Sequence, residues 1–165
     1  MGSLFSNPRR ILLLALLTSL GAVGAALVTQ HVFDMQPCPW CILQRLIFVA
    51  IAAAALLGLL WNSRMGVMMS ALLMDGLAAS GVAAALWQHF VAASASSCNL
   101  TLADRIIAST GLDGSLPEIF APRASCADAA VTLFGVPYEF WSLATFAMLG
   151  ALAVLALLSP LRHRR

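Results

Sequence analysis

Four long apolar runs, separated by two short polar breaks and one long mixed segment, organise this chain. The first extends from Ile11 to Thr29 and is interrupted only by Thr18, Ser19 and two glycines. The second covers Ile42 to Trp61, the third Gly66 to Phe90 and the fourth Phe140 to Ser159. A helix rising about 1.5 Å per residue needs ~20 residues to cross a ~30 Å hydrocarbon layer, and each run meets that length. None alternates as a strand would, and only helices or closed barrels satisfy their backbone in lipid. The pattern therefore predicts an all-α protein: a four-helix transmembrane bundle forming one membrane domain over residues 1–165, with outer loops at 30–41 and 91–139.

Composition agrees with that pattern. Hydrophobic residues make up 61% of the 165 and charged residues only 10%, against about 25% charged in soluble domains. The formal charge of +2 is too small an excess to argue for nucleic acid, and no basic stripe interleaves with aromatics. Arg9 and Arg10 ahead of the first run, with Gly24-Ala25-Ala26 near its end, have the outline of a cleavable signal. A signal core spans only about 7–15 residues, however, so an uncleaved helix is expected.

All the basic residues are arginines, and their placement orients the bundle. Arg9, Arg10, Arg64, Arg162, Arg164 and Arg165 fall on one side; Arg45, Arg105 and Arg123 fall on or near the other. The arginine-rich side is expected to be cytoplasmic, with both termini inside. Cys38, Cys41, Cys98 and Cys126 then all lie on the outer face, which in a bacterium is the periplasm. An even number of cysteines confined to an oxidising face fits disulfides better than metal.

Pro37-Cys38-Pro39-Trp40-Cys41 runs directly into an apolar helix. A cysteine at a helix N-terminus gains thiolate character from unpaired amides and the helix dipole. So short a disulfide loop gains little chain-entropy stabilisation, which suits exchange better than stapling. Cys98 and Cys126 are separated by 27 residues in the second loop, where a bridge would be either a plain staple or a second redox pair. Gly111, Gly114, Pro117 and Pro122 leave that loop jointed, and mixed disulfides pass electrons between pairs when segments can approach. A four-thiolate zinc site is the competing reading. It fits poorly, because only one pair has CxxC spacing and His31, His89 and His163 are scattered.

A redox pair needs an electron acceptor. The chain has no GxGxxG, and Ile42 replaces the histidine of a haem-attachment motif. The acceptor is then another protein or a lipid-soluble molecule. Arg45, four residues after Cys41, lies on the same helical face about 6 Å along the axis. It is either an interfacial arginine snorkelling to headgroups or a donor to the carbonyl of a bound quinone.

The stretch Cys38-Pro39-Trp40-Cys41-Ile42-Leu43-Gln44-Arg45 resembles the bacterial disulfide-bond formation protein B family, DsbB. Cys126 followed by Phe134-Gly135, Pro137 and Trp141 is similar to that family's approach to its fourth helix, although Val131 stands where a tryptophan is often found. The resemblance covers nearly the whole chain. It implies a membrane thiol–disulfide oxidoreductase of the bacterial inner membrane, with ubiquinone or menaquinone as cofactor and a DsbA-like periplasmic thiol oxidase as partner. Cys98 would be attacked by the reduced partner, with Cys126 as its disulfide mate. Cys38 would exchange with that pair, and Cys41 would pass electrons to the quinone beside Arg45. His89 resembles a polar position near the family's quinone pocket; by itself it reads first as an interfacial histidine capping a helix. Two alternatives belong to other classes: a non-catalytic, disulfide-stapled membrane scaffold, and a quinone-linked enzyme of the vitamin K epoxide reductase type, which usually orders its redox pairs the other way along the chain.

Other features fill in the bundle. Asp75, inside the third run, is expected at an interface or within the bundle, a proton relay being the alternative. Gly21, Gly24, Ala25, Ala52–Ala55, Ala78–Gly81 and Ala83–Ala85 favour close helix approach. Leu100, Leu102, Ile106 and Ile107, then Leu116, Ile119 and Phe120, predict short amphipathic pieces on the membrane surface. Trp61, Trp87, Phe90 and Trp141 fit interfacial aromatic belts.

Overall fold

The computed structural model describes residues 7–61, 63–94 and 101–162. Asn62, Cys98, Leu100, His163, Arg164 and Arg165 lie outside the described residues. Among the described residues, four helices are long and apolar enough to cross a membrane: α1 (Pro8–Val32), α2 (Pro39–Leu60), α3 (Arg64–Phe90) and α7 (Tyr138–Arg162, with the apolar span ending at Ser159). The chain is thus an all-α, multi-pass membrane protein. Between α3 and α7 the described residues form a 3-10 turn (Ala92–Ser94), the short α-helices α4 (Leu102–Thr110), α5 (Leu112–Ser115) and α6 (Pro117–Phe120), and a two-stranded hairpin of β1 (Thr132–Leu133) and β2 (Val136–Pro137).

Each helix start has a local cause. Asn7 accepts from the Arg9 amide, and Pro8 fills the first turn of α1, where its missing N–H costs nothing. Ser63 caps α3 through the Gly66 amide at 3.0 Å. Thr101 and Asp104 form a reciprocal capping box on α4, and Gly111, with φ +66, ends it in the left-handed conformation. The helices run past the apolar runs at several ends: α1 begins at Pro8 and continues through Gln30 and His31 to Val32. Polar residues at helix ends carry the backbone on without adding to the apolar pattern.

The long helices form a closed ring in which α1 packs on α2, α2 on α3, α3 on α7, and α7 back on α1. Phe48 of α2 stacks on Phe146 of α7 across the centre, ring centroids 4.0 Å apart and nearly parallel. Gly81 of α3 makes room for this pair, since a Cβ there would meet the Phe146 ring at 2.4 Å. Gly58 admits Ser70 in the same way, and the Ser70 hydroxyl donates to the Ala54 carbonyl at 2.6 Å. Gly21 and Gly24 behave differently: both face open space rather than a helix contact. Asp75 is half-buried on the α7 side of α3, its Oδ1 facing Gly150. Trp61, Trp87, Phe90 and Trp141 point outward, as belt residues must.

The second loop is drawn onto the end of the bundle where α2 begins. Ile107 of α4 and Phe120 of α6 pack on Ile42 of α2, while Leu102 and Ile106 stay exposed. The amides of Arg123 and Ala124 donate to the Pro37 carbonyl at 2.9 and 3.3 Å, fastening the second loop to the residue before Cys38.

Candidate thiol redox site

The head of α2 is built around its cysteines. Cys38 occupies the N-cap position with extended backbone, Pro39 begins the helix, and the Cys41 amide donates to Cys38 Sγ at 3.3 Å. This fold-back brings Cys38 Sγ to 2.8 Å from Cys41 Sγ. Cys38 is fully buried and Cys41 half-buried, and no disulfide joins the described cysteines.

Cys126 reaches the same cluster from the second loop and shares a hydrogen bond with Cys38. Hydrogen bonds to Cys126 and Cys41, reinforced by burial, push the Cys38 thiol well above the usual thiol range. The bond from Cys38 holds Cys126 below that range, aided by a backbone hydrogen bond from Trp40. A protonated central sulfur therefore serves an outer one that carries thiolate character, the form that performs exchange. Cys98 lies outside the described residues.

Beneath Cys41 a cavity of about 280 Å³ opens between α1, α2, α3 and α7. Ala22, Val23, Phe48 and Val131 give it apolar walls; Cys41, Gln44, Arg45, Gln88, Tyr138 and Glu139 bring polar groups to it. Gln88 Nε2 donates to Cys41 Sγ at 3.3 Å, and its Oε1 accepts from Gln44 Nε2 at 2.7 Å. Arg45 is buried rather than snorkelling outward. Its Nη1 donates to Gln30 Oε1 at 3.0 Å and to the Ile119 carbonyl, and Nη2 reaches the Ala26 carbonyl at 3.5 Å. Gln30 in turn donates to the Glu118 carbonyl at 3.2 Å, so α6 is tied to the arginine twice. Arg45 Nε is buried without a protein partner. Tyr138 and Thr29 share a hydroxyl hydrogen bond of 3.0 Å on the cavity wall.

Of the residues singled out in the sequence, Cys38, Cys41, Cys126 and Arg45 converge here. His89 is not on the cavity wall. It stands behind Glu139, with Nδ1 2.6 Å from Glu139 Oε1. Sequence reasoning missed Gln30, Gln44, Gln88 and Glu139, all buried polar residues. Their one visible signal was polarity inside or beside an apolar run. A buried polar side chain in lipid requires an internal partner, and these four have found theirs.

A multi-pass membrane protein whose paired thiols meet at the head of a helix, over an apolar cavity with polar groups in its wall, is a membrane thiol–disulfide protein. A sequence profile of the family described as Disulfide bond formation protein DsbB matches residues 8–156. Among curated relatives, Disulfide bond formation protein B of Burkholderia pseudomallei is 33% identical over 157 residues, covering 94% of this chain and 91% of the other. The protein of the same name from Polaromonas naphthalenivorans is 30% identical over 166 residues, covering 99% and 98%. That from Methylobacillus flagellatus is 34% identical over 152 residues, covering 89% and 91%. The chain belongs to the DsbB family, and its class is that of membrane oxidoreductases in disulfide formation.

Proposed function

We propose that this chain reoxidises a periplasmic DsbA-like dithiol and delivers the electrons to a membrane quinone, ubiquinone or menaquinone, in the cavity beside Cys41. One observation carries the reading: Cys41 has Cys38 Sγ 2.8 Å away while itself lining an apolar cavity that contains a buried arginine. The cavity suits a quinone head group in size and in chemistry. Its walls are largely aliphatic and aromatic, and Gln44, Gln88 and Arg45 supply N–H donors at one end. The buried Nε of Arg45, without a protein acceptor, is a further donor there. A bound quinone supplies a two-electron, two-proton acceptor.

The chain's own residues then divide the work. Cys98, the proposed point of attack by the reduced partner, pairs with Cys126. Cys126 thiolate character suits exchange with Cys38, the sulfur that it contacts. Cys38 is covered by protein, so it serves internal exchange rather than direct attack by a soluble partner. Cys38 and Cys41 close their disulfide as the electrons leave. Gln88 holds Cys41 Sγ toward the cavity, and Arg45, braced by Gln30 and Ile119, keeps a fixed positive charge beside it. This chemistry assigns the cysteine-bearing face to the periplasm and both termini to the cytoplasm of a bacterial inner membrane.

Turnover with a reduced DsbA-like partner tests the reading. Cys98→Ser is expected to block partner oxidation while leaving quinone binding intact, and Cys41→Ser to block quinone reduction. Normal partner oxidation by both variants would contradict the relay.

A further inference from the structure

We infer that Glu139 is the proton donor of the cavity and that His89 recharges it from the outer membrane surface. This rests on the quinone-reducing reading above. Glu139 is only 5% exposed yet lines the cavity. Its Oε1 is 2.6 Å from His89 Nδ1. His89 is the penultimate residue of α3, and its side chain is about one third exposed. Phe90 and Phe140 both meet the imidazole edge-on at 4.8 Å and fix its plane. The pair therefore connects the cavity wall to the surface through one hydrogen bond.

The chemistry requires such a connection. Closing the Cys38–Cys41 disulfide releases two electrons and two protons, and the acceptor takes up two of each. Cys38 is sealed from the cavity side by Cys41, so its proton has no direct route to an oxygen in the cavity. The Cys41 thiol gives its proton to one oxygen of the acceptor and Glu139 gives a second to the other; Glu139 then takes one from His89, His89 takes one from outside, and the Cys38 proton is released there past Cys126. The sum is dithiol plus quinone giving disulfide plus quinol. The other titratable or charged groups on the wall are Cys41 and Arg45 from α2 and Tyr138 from α7; α1 contributes the uncharged Thr29. Arg45 keeps its proton, and Tyr138 shares its hydroxyl with Thr29. Among the described residues, Glu139 is the one carboxyl there.

A purely structural His89–Glu139 link makes a different forecast, because Glu139→Gln preserves a hydrogen bond to His89 but abolishes the exchangeable acid. Fully reduced full-length protein is mixed with a short-chain ubiquinone, and quinol formation is followed in a single turnover. Glu139→Gln, which keeps a hydrogen-bond donor on the cavity wall, is expected still to bind the quinone by tryptophan quenching but to form quinol roughly 10²-fold more slowly, the scale of a lost general acid. Glu139→Asp should recover part of the rate. Infrared difference spectra of quinone reduction should show a carboxyl band that Glu139→Gln deletes and His89→Gln alters. Wild-type rates in Glu139→Gln, or no carboxyl band that depends on Glu139, overturn the inference while leaving the proposed activity standing. Failure of the wild type to form quinol overturns both. Should Glu139→Gln not accumulate, His89→Gln decides: a slower, pH-shifted rate supports the relay and an unchanged one contradicts it.

Discussion

Gln88 Nε2 donates to Cys41 Sγ at 3.3 Å while its Oε1 is held by Gln44 at 2.7 Å, so two helices aim one sulfur. A hydrogen bond to a charged acceptor is worth about 1.5–3 kcal/mol. Gln88→Leu is therefore expected to slow alkylation of Cys41 by iodoacetamide roughly tenfold, as followed by mass spectrometry of the reduced protein. An unchanged rate would show that Gln88 does not support the thiolate.

Cys38 and Cys126 share a hydrogen bond, and their acidities move apart. Burial and two hydrogen bonds raise Cys38; the bond from Cys38 lowers Cys126. A lowered thiol ionises at lower pH, so Cys126 is expected to gain reactivity at a pH below that of a free cysteine. Cys38 should stay protonated and unreactive well above it. Alkylation of the reduced protein across a pH series, read cysteine by cysteine, checks the order. Replacing Cys38 with alanine removes the main cause of the lowering and should move Cys126 back up.

Gly81 faces the Phe146 ring, which a Cβ would meet at 2.4 Å. Gly81→Val is expected to separate α3 from α7 and to destabilise the bundle by about 1–3 kcal/mol, the usual cost of overpacking. Gly21→Val is the control, since that position faces open space. Thermal unfolding in detergent should lower the midpoint for the first and barely move it for the second.

The four spans were legible because bilayer thickness imposes a length on apolar runs, and nothing else in this chain competes with that signal. Their ends were less so: Gln30 and His31 are polar yet helical. In the site, Cys38, Cys41 and Arg45 were readable because they share about two helical turns, so their proximity is local. Cys126 joins them only because Arg123 and Ala124 bind the Pro37 carbonyl, a contact between distant segments that spacing cannot reveal. Gln44 and Gln88 are 44 positions apart. His89 and Glu139 likewise meet only once α3 and α7 are packed.

Arg45 is the buried hinge between cavity and loop. Arg45→Met would leave Gln30 Oε1 and the Ile119 carbonyl without their donor, at about 1–3 kcal/mol for a buried unsatisfied group. The expected outcome is a lower unfolding midpoint together with faster proteolysis of the α6 segment, 117–120. An unaltered α6 would mean that the loop is held without the arginine, by the packing of Ile107 and Phe120 and the Arg123 and Ala124 bonds to Pro37.

The most direct test of electron transfer from Cys41 is quinol formed per molecule when the fully reduced protein meets excess ubiquinone without any partner. The account expects stoichiometric quinol from the wild type and none from Cys41→Ser, with quinone binding retained. Quinol formation that survives Cys41→Ser, or none from the wild type despite bound quinone, would contradict it.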